Sequence, residues 1–309
     1  YLKIFNTISK FKKLNFNQNK IYELIDPYRP NLTLLIFKEI LKLNINLKII
    51  DKSGKNLLFQ LKKFKFYPPF FDFLVENNLN VNKKDKIGAS ILHYMFLNLN
   101  FDIKPLIEKK IDCSAIANFT SDFEIDCERI YEDEDDNFGD WDFEKKWGIE
   151  FFEVEENLNN GNILHWLFAN IESKALGYKF EESDDLLSKL LNAIDLIAST
   201  NIDLYSLNKN GETFAHYLCD FKYAKDVIKV LYKNNIDLNK FINSDGETIL
   251  QHAILYGRNS NFDLINELVK KGISLEKDKN GMNLLHYTFL PNNYNNDRSR
   301  CEKIFNFLD

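Results

Sequence analysis

The sequence predicts an all-α solenoid of stacked helix pairs joined by short β-hairpin-like tips. Three observations predict it. A six-residue phrase recurs six times, a second phrase recurs six times between copies of the first, and the two keep a near-constant register. Self-similarity at a period of about 20–50 residues marks units that cannot bury an apolar face alone and therefore stack.

The first phrase reads Gly54-Lys55-Asn56-Leu57-Leu58-Phe59, Gly88-Ala89-Ser90-Ile91-Leu92-His93, Asn160-Gly161-Asn162-Ile163-Leu164-His165, Gly211-Glu212-Thr213-Phe214-Ala215-His216, Gly246-Glu247-Thr248-Ile249-Leu250-Gln251 and Gly281-Met282-Asn283-Leu284-Leu285-His286. Three residues before each stands Asp51, Asp85, Asn157, Asn208, Asn243 or Asp278. An Asp or Asn followed by Gly suits a tight turn, where the side chain bonds nearby backbone and Gly takes positive φ. The third phrase residue is Asn, Ser or Thr in all six copies, the residue types that cap a helix N-terminus. The apolar pair behind it opens a buried face.

The second phrase reads Asn44-Ile45-Asn46-Leu47, Asn78-Leu79-Asn80-Val81, Lys110-Ile111-Asp112-Cys113, Asn201-Ile202-Asp203-Leu204, Asn235-Ile236-Asp237-Leu238 and Gly272-Ile273-Ser274-Leu275. Five of its six leading residues suit a left-handed helix C-cap, with Lys110 the exception. An amphipathic stretch such as 262–269 precedes each copy and predicts a second helix. The unit is therefore turn, helix, loop, helix, extended tip. Its period is 34 residues from Asp51 to Asp85, then 35 from Asn208 to Asn243 and 35 to Asp278.

This unit resembles the ankyrin repeat, whose first helix opens on a T-P-L-H-like phrase and whose second is followed by a G-A-D-V-N-like phrase. The resemblance spans roughly residues 20–309. No copy keeps the family's Pro, Phe59 and Gln251 replace His, and Ala215 replaces Leu. The resemblance implies a non-catalytic scaffold that binds a protein along a concave face of tips and first helices. By that resemblance the face carries Lys52, Lys86, Lys209 and Lys279, each directly after a turn Asp or Asn. Phe64, Phe221 and Tyr256 are expected to project from the ends of first helices.

The period breaks twice. Asp85 to Asn157 is 72 residues, with the excess after Cys113. Residues 121–156 hold 16 Asp or Glu against Arg129, Lys145 and Lys146, a net −13, so the rest of the chain carries +7 of the total −6. Trp141 and Trp147 lie among those acids, and acid interleaved with aromatics suits docking onto a partner or back onto the solenoid. The block 117–156 is either an insertion extruded from a tip or a degenerate repeat, since Gly148-Ile149-Glu150-Phe151 fits the second phrase. The other break, near 171–187, separates the two helices of one repeat, of which the second is expected over 184–200. The expected organisation is thus 1–50, capping helices or a degenerate repeat with a helix over 32–43; 51–116, repeats; 117–156, the acidic block; and 157–309, repeats.

The chemistry-bearing residues have structural readings. Four of the five histidines share one phrase position, one repeat apart, too distant to ligate one metal but placed to bridge turn backbones. His252 stands one residue out of register with no evident partner. The acidic run 132–136 lacks EF-hand spacing, and no P-loop, GxGxxG, GxSxG or HExxH pattern occurs. No catalytic residue, cofactor, metal or small-molecule substrate is expected. Scattered lysines and negative net charge argue against nucleic acid, and no long apolar run predicts membrane insertion. Four cysteines without CxxC spacing suit a reducing compartment, cytoplasmic or nuclear. The chain ends at Phe307-Leu308-Asp309 within a helix-like pattern, which supports an alternative expectation: a targeting or regulatory arm of a longer enzyme or channel.

Overall fold

A computed structural model describes residues 21–22, 24–26, 28–63, 68–117, 161–171, 184–256 and 262–289. The expected helix over 2–11 and most of 117–156 and 171–187 lie outside these residues. The chain divides into two compact units, one holding the described residues up to Asn100 and the other those from Phe101 on.

The first unit contains α1 (Pro30–Lys42), a 3₁₀ helix (Leu57–Lys63), α2 (Pro68–Glu76) and α3 (Ile91–Leu97). The second contains α4 (Lys104–Glu108), α5 (Ile163–Ile171), α6 (Asp184–Ala198), a 3₁₀ helix (Phe214–Asp220), α7 (Ala224–Lys233), α8 (Ile249–Tyr256), α9 (Phe262–Lys270) and α10 (Leu284–Phe289). Each unit has two layers. In the first, α1 packs on α2 and the 57–63 helix on α3. In the second, the first helices form one row, α5 on the 214–220 helix, that helix on α8, and α8 on α10. The second helices form the other row, α4 on α6, α6 on α7, and α7 on α9.

Two first helices are 3₁₀ where the pattern predicts ordinary helix.

The turns repeat atom for atom. The side-chain oxygen of Asp51, Asp85, Asn208, Asn243 and Asp278 accepts the backbone N–H groups two and four residues on, at 2.7–3.0 Å. The second phrase makes its own turn in all six copies: Asn46, Asn80, Asp112, Asp203, Asp237 and Ser274 each accept from the N–H two residues on. Left-handed C-caps form at Asn44, Asn78, Asn235 and Gly272, and also at Lys110 (φ 58°). The fold thus forces that conformation on Lys110 despite its side chain, and the expected exception does not hold. Asn201 lacks it. There Ser199 Oγ and Thr200 Oγ1 donate to the carbonyls of Leu196 and Ile197 and satisfy the free helix end.

Tips of neighbouring repeats are tied together. Lys86 N–H donates to Ser53 O at 2.9 Å in the first unit, and Ser244 N–H to Gly211 O at 2.7 Å in the second. Within the second unit one antiparallel bridge pins Ile242 to Thr248, and another pins the buried Ala117 to the buried Gly161. That second bridge brings together the two ends of the stretch 118–160.

Candidate functional site

The histidine position couples one repeat to the next. Asn162 N–H donates to His165 Nδ1 at 3.1 Å, which makes Nδ1 the acceptor and leaves the proton on Nε2. His165 Nε2–H then donates to Glu212 O, 3.0 Å away in the following tip. His216 repeats this: Thr213 Oγ1 lies 2.8 Å from its Nδ1, and its Nε2 donates to Glu247 O at 3.2 Å. In the next copy Gln251 does the work of an imidazole, accepting Thr248 N–H on Oε1 at 2.7 Å and donating from Nε2 to Glu276 O at 3.4 Å. His165 and His216 therefore bridge backbones, as the shared phrase position predicts. Burial holds the His165 imidazole down to about 4. Burial, joined by the neighbouring His252, takes His216 down to about 3. Both are neutral structural groups at ordinary pH.

A second recurrent pair escaped the sequence reading. Tyr94 Oη donates to Asp85 Oδ2 at 2.6 Å, Asn208 Nδ2 donates to Tyr217 Oη at 2.7 Å, and Tyr287 Oη donates to Asp278 Oδ2 at 2.8 Å. Each tyrosine stands nine residues after its turn residue and directly after a phrase histidine. The recurring His-Tyr dipeptide at 93–94, 216–217 and 286–287 was the available signal. Context sets the electrostatics. Asp85, 8% exposed, is pushed up by burial despite its bonds, whereas at Asp278 the bonds from Tyr287, Met282 and Asn280 outweigh burial and hold it down.

His252 occupies the tyrosine position of its repeat, and it does have partners. Its Nδ1 lies 3.4 Å from Glu247 Oε2, which also accepts from Asn243 Nδ2 at 3.0 Å. Its ring packs edge-on against His216 at 4.9 Å and, tilted by 46°, against Tyr256 at 4.6 Å.

The expected partner-binding residues fall into three groups. Lys52, Lys86, Lys209 and Lys279 are all exposed on the tips. Lys279 reaches back to its neighbour, with Nζ bonded to Ser244 O and 3.8 Å from Asp245. Tyr256, 43% exposed at the end of α8, presents its ring as expected. Partial burial and the nearby Glu247, Asp245 and Glu212 push its phenol up. Phe221 does not project. It is 7% exposed and packs on Phe168 and Tyr223, with ring centroids 5.8 and 5.7 Å away, because the 214–220 helix ends by turning straight into α7. Phe64, Trp141 and Trp147 lie outside the described residues.

Among the described residues no group of three His, Cys, Asp or Glu is placed to hold a metal. Among them, too, no helix is long and apolar enough to cross a membrane. Burial pushes the Cys113 thiol up to about 11, far from a reactive thiolate.

Residues 178–278 match the family model described as ankyrin repeats (3 copies). No curated protein matches the chain in sequence. Two solved structures share its fold at 12% identity and a TM-score of 0.52. The ankyrin repeat domain of Bcl-3, a member of the IkappaB protein family, aligns over 94% of this chain and 96% of that one. The human ASB11 ankyrin repeat domain aligns over 93% and 96%. A chain in the complex of the Bd0816 predatory endopeptidase from Bdellovibrio bacteriovorus with immunity protein Bd3460 aligns at 20% identity over 78% and 92%, with a TM-score of 0.44. The histidine-bridged turns, the two helix layers and the matched repeats agree: residues 178–278 match ankyrin repeats, and the fold is an all-α solenoid of stacked helix pairs, as in ankyrin repeat domains.

Proposed function

We propose that the chain is a non-catalytic scaffold that binds another protein along its hairpin tips and first helices. Ankyrin repeats generally mediate protein–protein interaction. One observation carries the reading further. The turn and histidine groups that resemble chemistry are spent on backbone bonds, while Lys52, Lys86, Lys209, Lys279 and Tyr256 stay exposed at regular places on that framework. A surface held so firmly loses little side-chain and loop freedom on binding.

The acidic block fits this reading as an insertion extruded from one tip. Ala117 pairs directly with Gly161 across it, and α4 packs directly on α6. An intervening repeat would need to sit between those helices, as each repeat sits between its neighbours elsewhere.

One experiment tests both parts. Deletion of 121–156 is expected to leave the thermal midpoint within about 2 °C of the parent, while loss of a stacked repeat would lower it by many degrees. Partners crosslinked to the parent chain are expected to be lost from a Lys52→Glu, Lys86→Glu, Lys209→Glu, Tyr256→Ala variant that melts normally. An unchanged set of crosslinked partners rejects the tip face. A large fall in midpoint rejects the insertion.

A further inference from the structure

The tips of the two units differ in charge. In the first unit, tips 44–56 and 78–90 hold six lysines against two carboxylates, Asp51 and Asp85. In the second, tips 201–213, 235–248 and 272–283 hold four lysines against seven carboxylates.

One opposite pair of the first unit is spent inside. Lys55 and Asp85 are only 9% and 8% exposed. Lys55 Nζ lies 4.3 Å from the centroid of the Tyr94 ring, and the hydroxyl of that ring donates to Asp85 Oδ2 at 2.6 Å. Outside stand the exposed Lys48, Lys52, Lys84 and Lys86 and the half-buried Lys83. The remaining carboxylate, Asp51, is half-buried, and its Oδ1 already accepts the Ser53 and Lys55 N–H groups at 2.9 and 2.8 Å.

The two tips cannot spread to relieve this crowding of like charge. Lys86 N–H donates to Ser53 O at 2.9 Å, and a Cβ on Gly54 would stand only 3.1 Å from Lys86 N. Backbone contact therefore holds the residues that carry Lys52 and Lys86 close together. Fixed cations side by side raise the local potential and favour an anion that lies across both. In the second unit, by contrast, Lys279 finds Asp245 on its own neighbouring tip, 3.8 Å away.

Given that the tips form the binding face, we infer that the first unit's tips take an acidic segment of a partner protein. Its carboxylates meet Lys52, Lys84 and Lys86, and an apolar side chain among them meets Ile50, which is 52% exposed in register with Lys84. Tips 44–56 and 78–90 contain no Arg and no aromatic residue. They offer neither the planar fork that grips phosphate in two places nor a ring on which bases stack, so the chemistry favours peptide carboxylates over nucleic acid.

The test titrates the full chain into a fluorescent peptide of about ten glutamates with a central leucine, at about 0.15 M salt, and a Kd of about 10 μM is expected. A Lys52→Glu, Lys86→Glu chain that melts like the parent is expected to bind at least about tenfold more weakly, and a Lys209→Glu, Lys279→Glu chain less than about twofold more weakly. No binding at about 300 μM chain, or equal losses in the two variants, overturns the inference. Tighter binding of a DNA duplex of matched charge also overturns it. So does a gain of about tenfold or more on deleting 121–156, which makes the chain's own acids the occupant. If the peptide fails while crosslinked partners still depend on the tips, this inference falls and the tip face stands. If the crosslinked partners are indifferent to the tips as well, both fall.

Discussion

Acidification from pH 7 to pH 5 is expected to remove about 4 kcal/mol of folding stability, through His165 and His216 alone. In the folded chain these imidazoles take a proton only at about 4 and about 3, mainly because both are buried. In the unfolded chain they take it near the ordinary value of about 6.5. Below that value the unfolded state binds more protons, so stability falls as pH falls. The contribution is fully present above about 6.5 and is lost toward the folded values, at about 1.4 kcal/mol per pH unit per histidine. Geometry adds a reason beyond desolvation. A protonated Nδ1 can no longer accept from Asn162 N–H or from Thr213 Oγ1. Glu247 and Asp278, both held below their ordinary values, lose their contribution only in the carboxylate range, further down.

Gln251 supplies the control. The double variant His165→Gln, His216→Gln keeps a donor and an acceptor at each bridge but has no proton to take up. Its urea midpoint is expected near the parent's at pH 7 and nearly flat down to pH 5. His216→Ala, by contrast, abandons the part-buried Glu247 carbonyl and leaves a cavity, at a cost of about 2–4 kcal/mol at pH 7 that shrinks as the parent itself is acidified. A parent chain whose midpoint is flat over this range, or a glutamine variant that keeps the slope, rejects the bridge as the source.

Gly211→Ala is expected to destabilise the chain by about 3 kcal/mol, against about 1 kcal/mol for Gly281→Ala. Both glycines hold a left-handed φ, 78° and 76°, so the conformational cost is shared. The difference is the neighbouring tip. A Cβ on Gly211 would stand 2.5 Å from Ser244 Cβ, nearer still to its hydroxyl, whereas one on Gly281 meets nothing within 4 Å. Ser244 cannot retreat freely, because its N–H donates to Gly211 O. Ser244→Gly in the Gly211→Ala background should therefore recover most of the difference. Equal losses at the two glycines in denaturant titrations would show that the tips do not press on one another.

Much of this was legible in the sequence, for an identifiable reason. Turn residues, helix caps and bridging histidines act on backbone within a few residues or at one fixed offset, so they leave a phrase at constant spacing. The role of His165 and His216 as bridges between turn backbones followed from that spacing, though not the identity of the carbonyls they reach. What escaped depends on three dimensions. The Tyr94, Tyr217 and Tyr287 bonds were visible as a His-Tyr dipeptide but had no meaning until the turn carboxylate or amide was seen nine residues back. Phe221 sits at a helix end where projection and burial look alike in a pattern, and the short connection to α7 decides for burial. The pairing of Ala117 with Gly161 joins residues on either side of an acidic block, and nothing in either segment announces it.

Neighbouring repeats are joined by a neutral imidazole carrying its proton on Nε2. Long-range proton–nitrogen correlation spectra at pH 5.5 read that proton's position. His165 and His216 are both expected as neutral Nε2–H tautomers with slowly exchanging Nε2 protons. Imidazolium signals, or Nδ1–H tautomers in free exchange with water, would contradict it.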